Sequence, residues 1–387
     1  MSGWKAVVLL IPFQFMFGLI YAWGAMAPSI HLATGWSAST LDLMFSLTPL
    51  VLLPAVLIGG HLVGRVGPRR VLQVATGSFV VGGLLALSGN SPQLFAAGYA
   101  GIALGIGGGL STPACVALIH NIAPRRQGRL AGTLLAVYGL SGAVSGPLFL
   151  WLAHHAPWHT ALAAVMGTYA VIAGLCLTRV RSGVNANGAA RSERPLGHEP
   201  ISLWQPILNI ALLCATVPFG SAVFAAIGRL ATEHGHTASL GVAGASIMSL
   251  ANGAGRFAGG VLSDLISIPV AWCLILGLAV GGYIMALADA RLGSPALFLL
   301  FAASTGLSFG ALAGKLPAVA AHTSPSNPAS MFSFYFGTFA FGSFGGPFLS
   351  AELGLPITMT VLGWATVIAF VLCTAQVLSS RRSAIPY

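Results

Sequence analysis

Apolar runs of about 20 residues follow one another along the chain, separated by short polar or Gly/Pro-rich breaks. Runs of that length predict membrane-spanning helices, because a bilayer core of about 30 Å needs roughly 20 residues at 1.5 Å each. The breaks place six spans near 5–30, 40–63, 70–90, 94–122, 129–153 and 158–180. Six more fall near 205–231, 240–263, 268–288, 294–321, 330–350 and 356–378. Between the two sets lies the one long polar segment, "RSGVNANGAARSERPLGHEP", which reads as a flexible linker without a fold of its own. The expected organisation is an N-terminal six-helix bundle at 1–180, a cytoplasmic linker at 181–204 and a C-terminal six-helix bundle at 205–387. The fold class is thus an all-α membrane protein with twelve transmembrane helices in two pseudo-symmetric bundles.

Composition agrees. The chain is 56% hydrophobic and only 6% charged, against about 25% charged residues in a soluble domain. Its 50 glycines and 22 prolines suit membrane helices, where small residues allow close backbone approach and proline kinks are tolerated. Only Lys5 precedes the first apolar run, which is longer than a signal-peptide core and is expected to be retained as the first span. The five cysteines (Cys115, Cys176, Cys214, Cys273, Cys373) lie singly in apolar segments, with no CxxC and no His-rich metal spacing. They read as small core residues; no metal and no cofactor is expected. No HExxH, GxSxG or P-loop pattern is present, so no enzymatic activity is expected either.

The charges give an orientation. Lys5, Arg65, Arg69, Arg70, Arg125, Arg126, Arg129, Arg179, Arg181, Arg191, Arg194, Arg381 and Arg382 fall on one side of the predicted spans, thirteen of the seventeen basic residues. The opposite loops carry Arg229 and Arg291. The positive-inside rule then puts both termini and the linker in the cytoplasm, in a multi-pass cell (inner) membrane protein. The formal charge of +10 is accounted for by this topology and leaves no nucleic-acid footprint.

An internal repeat supports the two-bundle reading. Gly59-Gly60 recurs as Gly259-Gly260, and Gly146-Pro147 in "GLSGAVSGPL" recurs as Gly346-Pro347 in "FGSFGGPF", both at an offset of 200 residues. The pairs fall on the second and eighth and on the fifth and eleventh helices. Paired six-helix halves are the plan of secondary transporters, with a midplane site between the halves.

The loop "GGHLVGRVGPRRVL" resembles the loop signature of the major facilitator superfamily, with Gly64 standing where that signature carries an acid. "GGVLSD" in the second half keeps Asp264 but lacks the basic residues after it. A narrower resemblance is to the oxalate:formate antiporter and monocarboxylate transporter branch. It rests on "GLIYAWGAMAPSI" with "GWSASTLDLMFSL", on "GIALGIGGGLSTPACVALIHNIAPRRQGRLAG", on "LLAVYGLSGAVSGPL" and on "NGAGRFAGGVLSD", in that order. The resemblance implies a secondary transporter of small organic anions, working by proton-linked transport or by exchange.

Arg256 is the residue that chemistry singles out. It lies deep in an apolar run, and a charge near the bilayer centre costs roughly 2.5–3.5 kcal/mol on insertion scales. The seven acids (Asp42, Glu193, Glu199, Glu233, Asp264, Asp289, Glu352) fall at span ends, in loops or in the linker. An anionic ligand is then the natural partner, because a guanidinium fork fits a carboxylate bidentately; inward snorkelling is the bland alternative. Asn252 lies four residues earlier on the same face. It is either helix–helix glue or a second donor to the ligand, and the resembled branch uses such an Asn–Arg pair at its carboxylate site.

The same branch implies that Tyr138 and Tyr21 line the site. Its second cation, a lysine on the eleventh helix, is matched here by Phe339, and its aromatic positions on the fourth and tenth helices by Thr112, Phe309 and Ala313. One cation suits one carboxylate, so a monocarboxylate somewhat bulkier than formate is expected. Lys315 is the complication. At 100° per residue it points about 200° away from Ala313, so it reads as a snorkelling lysine at the inner leaflet; the alternative is a second anion-binding charge in a dicarboxylate/monocarboxylate antiporter. Asp42 opens the second helix, where it suits the helix N-terminus, and is the candidate proton carrier together with the substrate's own carboxyl. Arg229 reads as an interfacial anchor or a charge recruiting anions at the outer vestibule. The expected partners are a small organic anion, protons and the lipid bilayer, with the protein a monomer. Rival readings are a drug or cation exporter, for which no buried acid is evident, and a non-transporting membrane sensor, for which there is no soluble output domain.

Overall fold

The computed structural model describes residues 3–122, 127–180, 204–324 and 328–382. The predicted linker apart from Trp204, together with Arg125 and Arg126, lies outside them, as do its Arg181, Arg191 and Arg194, and nothing is described of the Asp264 side chain. Within the described residues the chain is all helix, and each of the twelve predicted spans falls on a helical segment.

Helix α1 runs as Gly3–Phe17 and Trp23–Thr34 joined by a 3-10 stretch, Gly18–Ala22. It is followed by α2 (Ala38–Val66) and α3 (Pro68–Leu87). Next, α4 begins at Pro92–Phe95, continues as a π-helical stretch Ala96–Ile106 and ends as Gly107–Ile122. The set closes with α5 (Gln127–Ala153) and α6 (Trp158–Arg179). The second set is α7 (Trp204–Glu233), α8 (Ala238–Leu265), α9 (Ile268–Leu292), α10 (Pro295–Thr323), α11 (Pro328–Leu353) and α12 (Leu355–Arg382). Ten of these are long and apolar enough to cross a membrane on composition alone. The exceptions are α8, which carries Asn252 and Arg256, and α11. Both are full-length helices, of 28 and 26 residues. An even number of crossings puts the two chain ends on one face, here the terminal face, and the first loop (residues 35–37) on the opposite, distal face.

The sequence repeat is a packing device. An added Cβ at Gly59 would stand 3.1 Å from the Leu110 Cα, and one at Gly259 would stand 2.8 Å from the Ala311 Cα, so the same glycine seats α2 on α4 and α8 on α10. Gly146 lies against Ala25, and Gly346 against Pro218 and Ser221, which seats α5 on α1 and α11 on α7. The repeat extends further than the two glycine pairs. Gly35 (φ 72°) and Gly235 (φ 79°), again 200 residues apart, turn the chain in the left-handed region that glycine tolerates. Two residues later, Ser37 and Thr237 accept the backbone N–H of Thr40 and Leu240 as N-caps of α2 and α8.

The sets meet along three seams: α5 with α8, α2 with α11, and α1 with α7. Glycines allow the first and last to close. A Cβ at Gly139 would lie 2.8 Å from the Gly253 nitrogen, and one at Gly24 would lie 2.6 Å from the Ile227 side chain. Helices α3, α6, α9 and α12 turn large apolar residues outward, among them Leu84, Leu175, Leu287 and Leu372, which lipid would cover. The first and fourth helices differ from the uninterrupted spans expected. At Gly18 the helix rests directly on the Tyr138 carbonyl and on Ser141, and the tighter 3-10 pitch there sets the direction of Tyr21. Apolar periodicity does not report such a local change of pitch.

Candidate functional site

Arg256 lies about 14 Å from the terminal-face end of α8 at 1.5 Å per residue, close to half the depth of a bilayer core. Its side chain is 1% exposed. Nε donates to Asn252 Oδ1 at 3.2 Å, and Nη2 donates to the Tyr21 hydroxyl at 2.6 Å. The guanidinium lies 5.5 Å from the Tyr21 ring centre and 5.3 Å from that of Tyr138, so two π faces flank the charge. These contacts leave the charge without a counter-ion. Among the described residues no carboxylate comes within 4.0 Å of Arg256. Arg256 Nη1 and Asn252 Nδ2 are buried donors with no hydrogen-bond partner. A buried donor left unmatched costs about 1–3 kcal/mol, and more when charged, so the charged Arg256 Nη1 is poised for an acceptor.

The space in front of Arg256 is a cavity of about 40 Å³ between the two helix sets. Tyr21, Phe45 and Tyr138 line it from the first set; Ser221, Phe309, Phe336, Phe339 and Ser343 line it from the second. Phe309 and Phe339 meet at a tilt of 52° with 4.9 Å between ring centres, and Tyr21 meets Tyr138 edge-on at 5.7 Å. The cavity therefore has one cationic end, a phenol beside it and an aromatic wall. A ligand with one anionic group and a small apolar body matches that chemistry.

The structure brings Arg256, Tyr21, Tyr138, Phe309 and Phe339 to one cavity; Asn252 is placed behind Arg256, holding its Nε rather than lining the space. Thr112 is not among the lining residues, and its hydroxyl donates to the Gly108 carbonyl one turn back. Lys315 is not at the cavity either. The inner-leaflet snorkelling reading of Lys315 is overturned as well: its side chain is fully buried, with Nζ 3.6 Å from the Trp272 ring centre. Its face of α10 turns inward to α9, because the helix is wrapped by its own bundle on that side.

Asp42 and Arg229 also differ from expectation. Arg229 is not a free interfacial charge: it pairs with Asp42 at 2.7 Å, from α7 of the second set to α2 of the first. Ser350 on α11 donates to the same carboxylate at 2.8 Å. The Asp42 side chain is 4% exposed, so this latch closes the distal face above the cavity. Asp289, at the end of α9, is buried between His234 Nδ1 at 2.7 Å and His236 Nε2 at 2.9 Å, which pins the α7–α8 loop. Phe224, Phe336, Ser221 and Ser343 are cavity or wall residues that sequence reasoning passed over. Phe336 and Ser343 were findable, since they lie three before and four after Phe339 on one helical face.

Comparison with known proteins places this geometry. The profile of the Major Facilitator Superfamily matches residues 8–347. Monocarboxylate transporter 13 of Bos taurus is 26% identical over 322 residues, covering 79% of this chain and 73% of that protein. A shorter match, 35% identical over 117 residues, is to the putative multidrug resistance protein MdtD of Salmonella typhi and covers 30% of this chain and 24% of that protein. Among solved structures, the inward-open xylose transporter XylE from E. coli superposes with a TM-score of 0.72 at 14% identity, over 96% of this chain and 95% of that one. Its partially occluded inward-open form gives the same TM-score over the whole of both chains. Two six-helix sets around a central cavity, matched by a family profile over most of the length, lead to one conclusion: the chain belongs to the Major Facilitator Superfamily and is a multi-pass membrane transporter, not an enzyme, that takes a small-molecule substrate within the membrane.

Proposed function

We propose that this protein is a secondary active transporter of small organic anions, monocarboxylates foremost, working by alternating access with proton coupling or anion exchange. The observation that carries the reading is the buried, unmatched and charged donor Arg256 Nη1 at the cavity, with no carboxylate among the described residues within 4.0 Å of Arg256. A carboxylate in the cavity supplies the missing acceptor for Arg256 Nη1 and the missing charge at once. Arg256 clamps it, Asn252 fixes the guanidinium through Nε, Tyr21 and Tyr138 flank the charge, and Phe309 and Phe339 face the apolar body. With Lys315 outside the cavity lining, one cation is available, which favours a monocarboxylate over a dianion. The likeness to a protein named as a monocarboxylate transporter points the same way.

The bundles at 1–180 and 205–387 are the bodies that rock, with the terminal face in the cytoplasm. Binding neutralises Arg256, so closure around the anion costs less than closure around the empty charge. The local likeness to a multidrug resistance protein favours a cation exporter as a second reading. That reading lacks a carboxylate at the cavity, since none of its lining residues is acidic.

The test is uptake of labelled monocarboxylates into proteoliposomes by the parent and by Arg256→Gln, with folding checked by size-exclusion chromatography. Saturable uptake that Arg256→Gln abolishes supports the reading. Uptake unchanged in that variant, or export of cationic dyes with no carboxylate flux, overturns it.

A further inference from the structure

Lys315 is a fully buried basic residue that the proposed carboxylate site does not use. Its Nζ is buried with no hydrogen-bond partner, and no carboxylate among the described residues lies within 4.0 Å of it. The face of Trp272 at 3.6 Å offsets only part of the cost of removing an ammonium from water. The groups that stand nearby are thiols. Cys273, next to Trp272 on α9, holds its Sγ 3.1 Å from the Sγ of Cys373 on α12. Lys315 Nζ rests on the ring of Trp272, the residue that precedes Cys273. Cys373 Sγ also faces the Pro269 carbonyl at 3.8 Å, and the Thr374 hydroxyl faces Cys273 Sγ at 4.0 Å. Three helices thus bring two touching thiols and one unmatched lysine amine together.

We propose that Cys273 and Cys373 are a redox-active dithiol, with Lys315 as the positioning charge that favours the reactive thiolate, and that a hydroperoxide converts the pair to a disulfide. A thiolate is the nucleophile in such chemistry, and an adjacent cation favours it. Cys273 is the partly exposed member of the pair, while Cys373 is 2% exposed, so Cys273 attacks first. Its sulfur bonds to the terminal oxygen of the hydroperoxide, the O–O bond breaks, and the leaving oxygen takes the thiol proton as an alcohol or water. The product at Cys273 is a sulfenic acid. Cys373 sulfur then attacks the Cys273 sulfur, the S–O bond breaks, and hydroxide leaves with the Cys373 proton as water. Two thiols are oxidised and one hydroperoxide is reduced to an alcohol and water, so atoms and electrons balance. A small uncharged peroxide can enter apolar surroundings that a charged oxidant cannot. The ammonium argues against a soft metal cation as the occupant, because it repels one. In the oxidised form α9 is tethered to α12.

The experiment is peptide mapping, without reduction, of the purified full-length protein before and after hydrogen peroxide. The expected product is a peptide pair linked through Cys273 and Cys373, with an intact mass lower by about 2 Da for the two hydrogens lost. Cys273→Ser and Cys373→Ser each abolish it. Lys315→Met and Lys315→Gln, whichever folds, slow the linkage at least about tenfold, and Lys315→Arg restores the rate, because charge and not shape sets the thiolate fraction. Two free thiols at 273 and 373, after a peroxide dose that oxidises the exposed Cys214, overturn the dithiol. A linkage rate unchanged in both uncharged variants overturns the role of Lys315.

Discussion

Replacing Arg229 by Gln leaves the Asp42 carboxylate, 4% exposed and paired at 2.7 Å, without its counter-ion. Truncating one member of a buried pair costs about 3–5 kcal/mol. Arg229 is itself 25% exposed and Ser350 remains as a donor, so about 2 kcal/mol is the appropriate figure here. That penalty applies only while the distal face is closed; once it opens, Asp42 meets water. The closed-to-open equilibrium therefore shifts by about 2 kcal/mol, roughly thirtyfold at 1.4 kcal/mol per decade. Ala27 reports it. It is 7% exposed and lies between Gly24 and Pro28, both of which pack on α7 at Phe224 and Gly228. A cysteine at 27, labelled with a charged thiol reagent in detergent and quantified by mass spectrometry, should react roughly thirtyfold faster in Arg229→Gln, by the same arithmetic. In the double variant Asp42→Asn/Arg229→Gln no buried charge is left unpaired, since the other carboxylate that Arg229 meets, Glu233 at 3.8 Å, is exposed to solvent, and the acceleration should fall below about threefold. Equal labelling in the parent and Arg229→Gln would refute the latch, and equal acceleration in the single and double variants would refute the electrostatic account of it.

Three further outcomes follow from the packing. Asn252→Ala removes the acceptor for Arg256 Nε; it should lower the unliganded transition and weaken carboxylate binding by about 1–2 kcal/mol, read as a smaller ligand-induced shift measured from the variant's own unliganded transition. Gly310→Ala puts a Cβ against the Asn252 backbone, whose Cα would lie 2.9 Å away; it should destabilise the protein by about 1–3 kcal/mol and impair uptake, because α8 must move off α10. Asp289→Asn replaces the carboxylate that both His234 and His236 contact and should cost about 1–3 kcal/mol in thermal unfolding, with proteolysis of the α7–α8 loop rising first; an unchanged cleavage pattern would show that the loop is held otherwise.

What could be read from the chain and what could not divide along physical lines. The twelve spans were legible because lipid imposes a single rule on every exposed position of a crossing helix, and that rule is written locally. Arg256 was legible for the converse reason: a charge in an apolar run has a cost that must be met somewhere. The partners that meet such costs were not legible. Asp42 and Arg229 are 187 residues apart, and each alone looks like an ordinary charge at a helix end. Cys273 and Cys373 each lie singly in the sequence and touch only because α9 packs on α12. The 3-10 stretch at Gly18–Ala22 was hidden too, since pitch there is set by contact with Tyr138 on another helix. Lys315 is the clearest instance. Its direction away from the cavity followed from 100° per residue, yet whether that direction led to lipid headgroups or to Trp272 depended on what α9 placed there.

By itself, then, the sequence determined the class, the number of spans, the repeat and the one deep arginine, because each is a property of a single helix and its solvent. Tertiary structure alone decided which buried charges are paired, which donors are left over and which residues share a cavity. Those properties belong to contacts between helices, and a contact between helices is fixed by close packing at glycines such as Gly24, Gly139 and Gly253, not by the hydropathy of either partner.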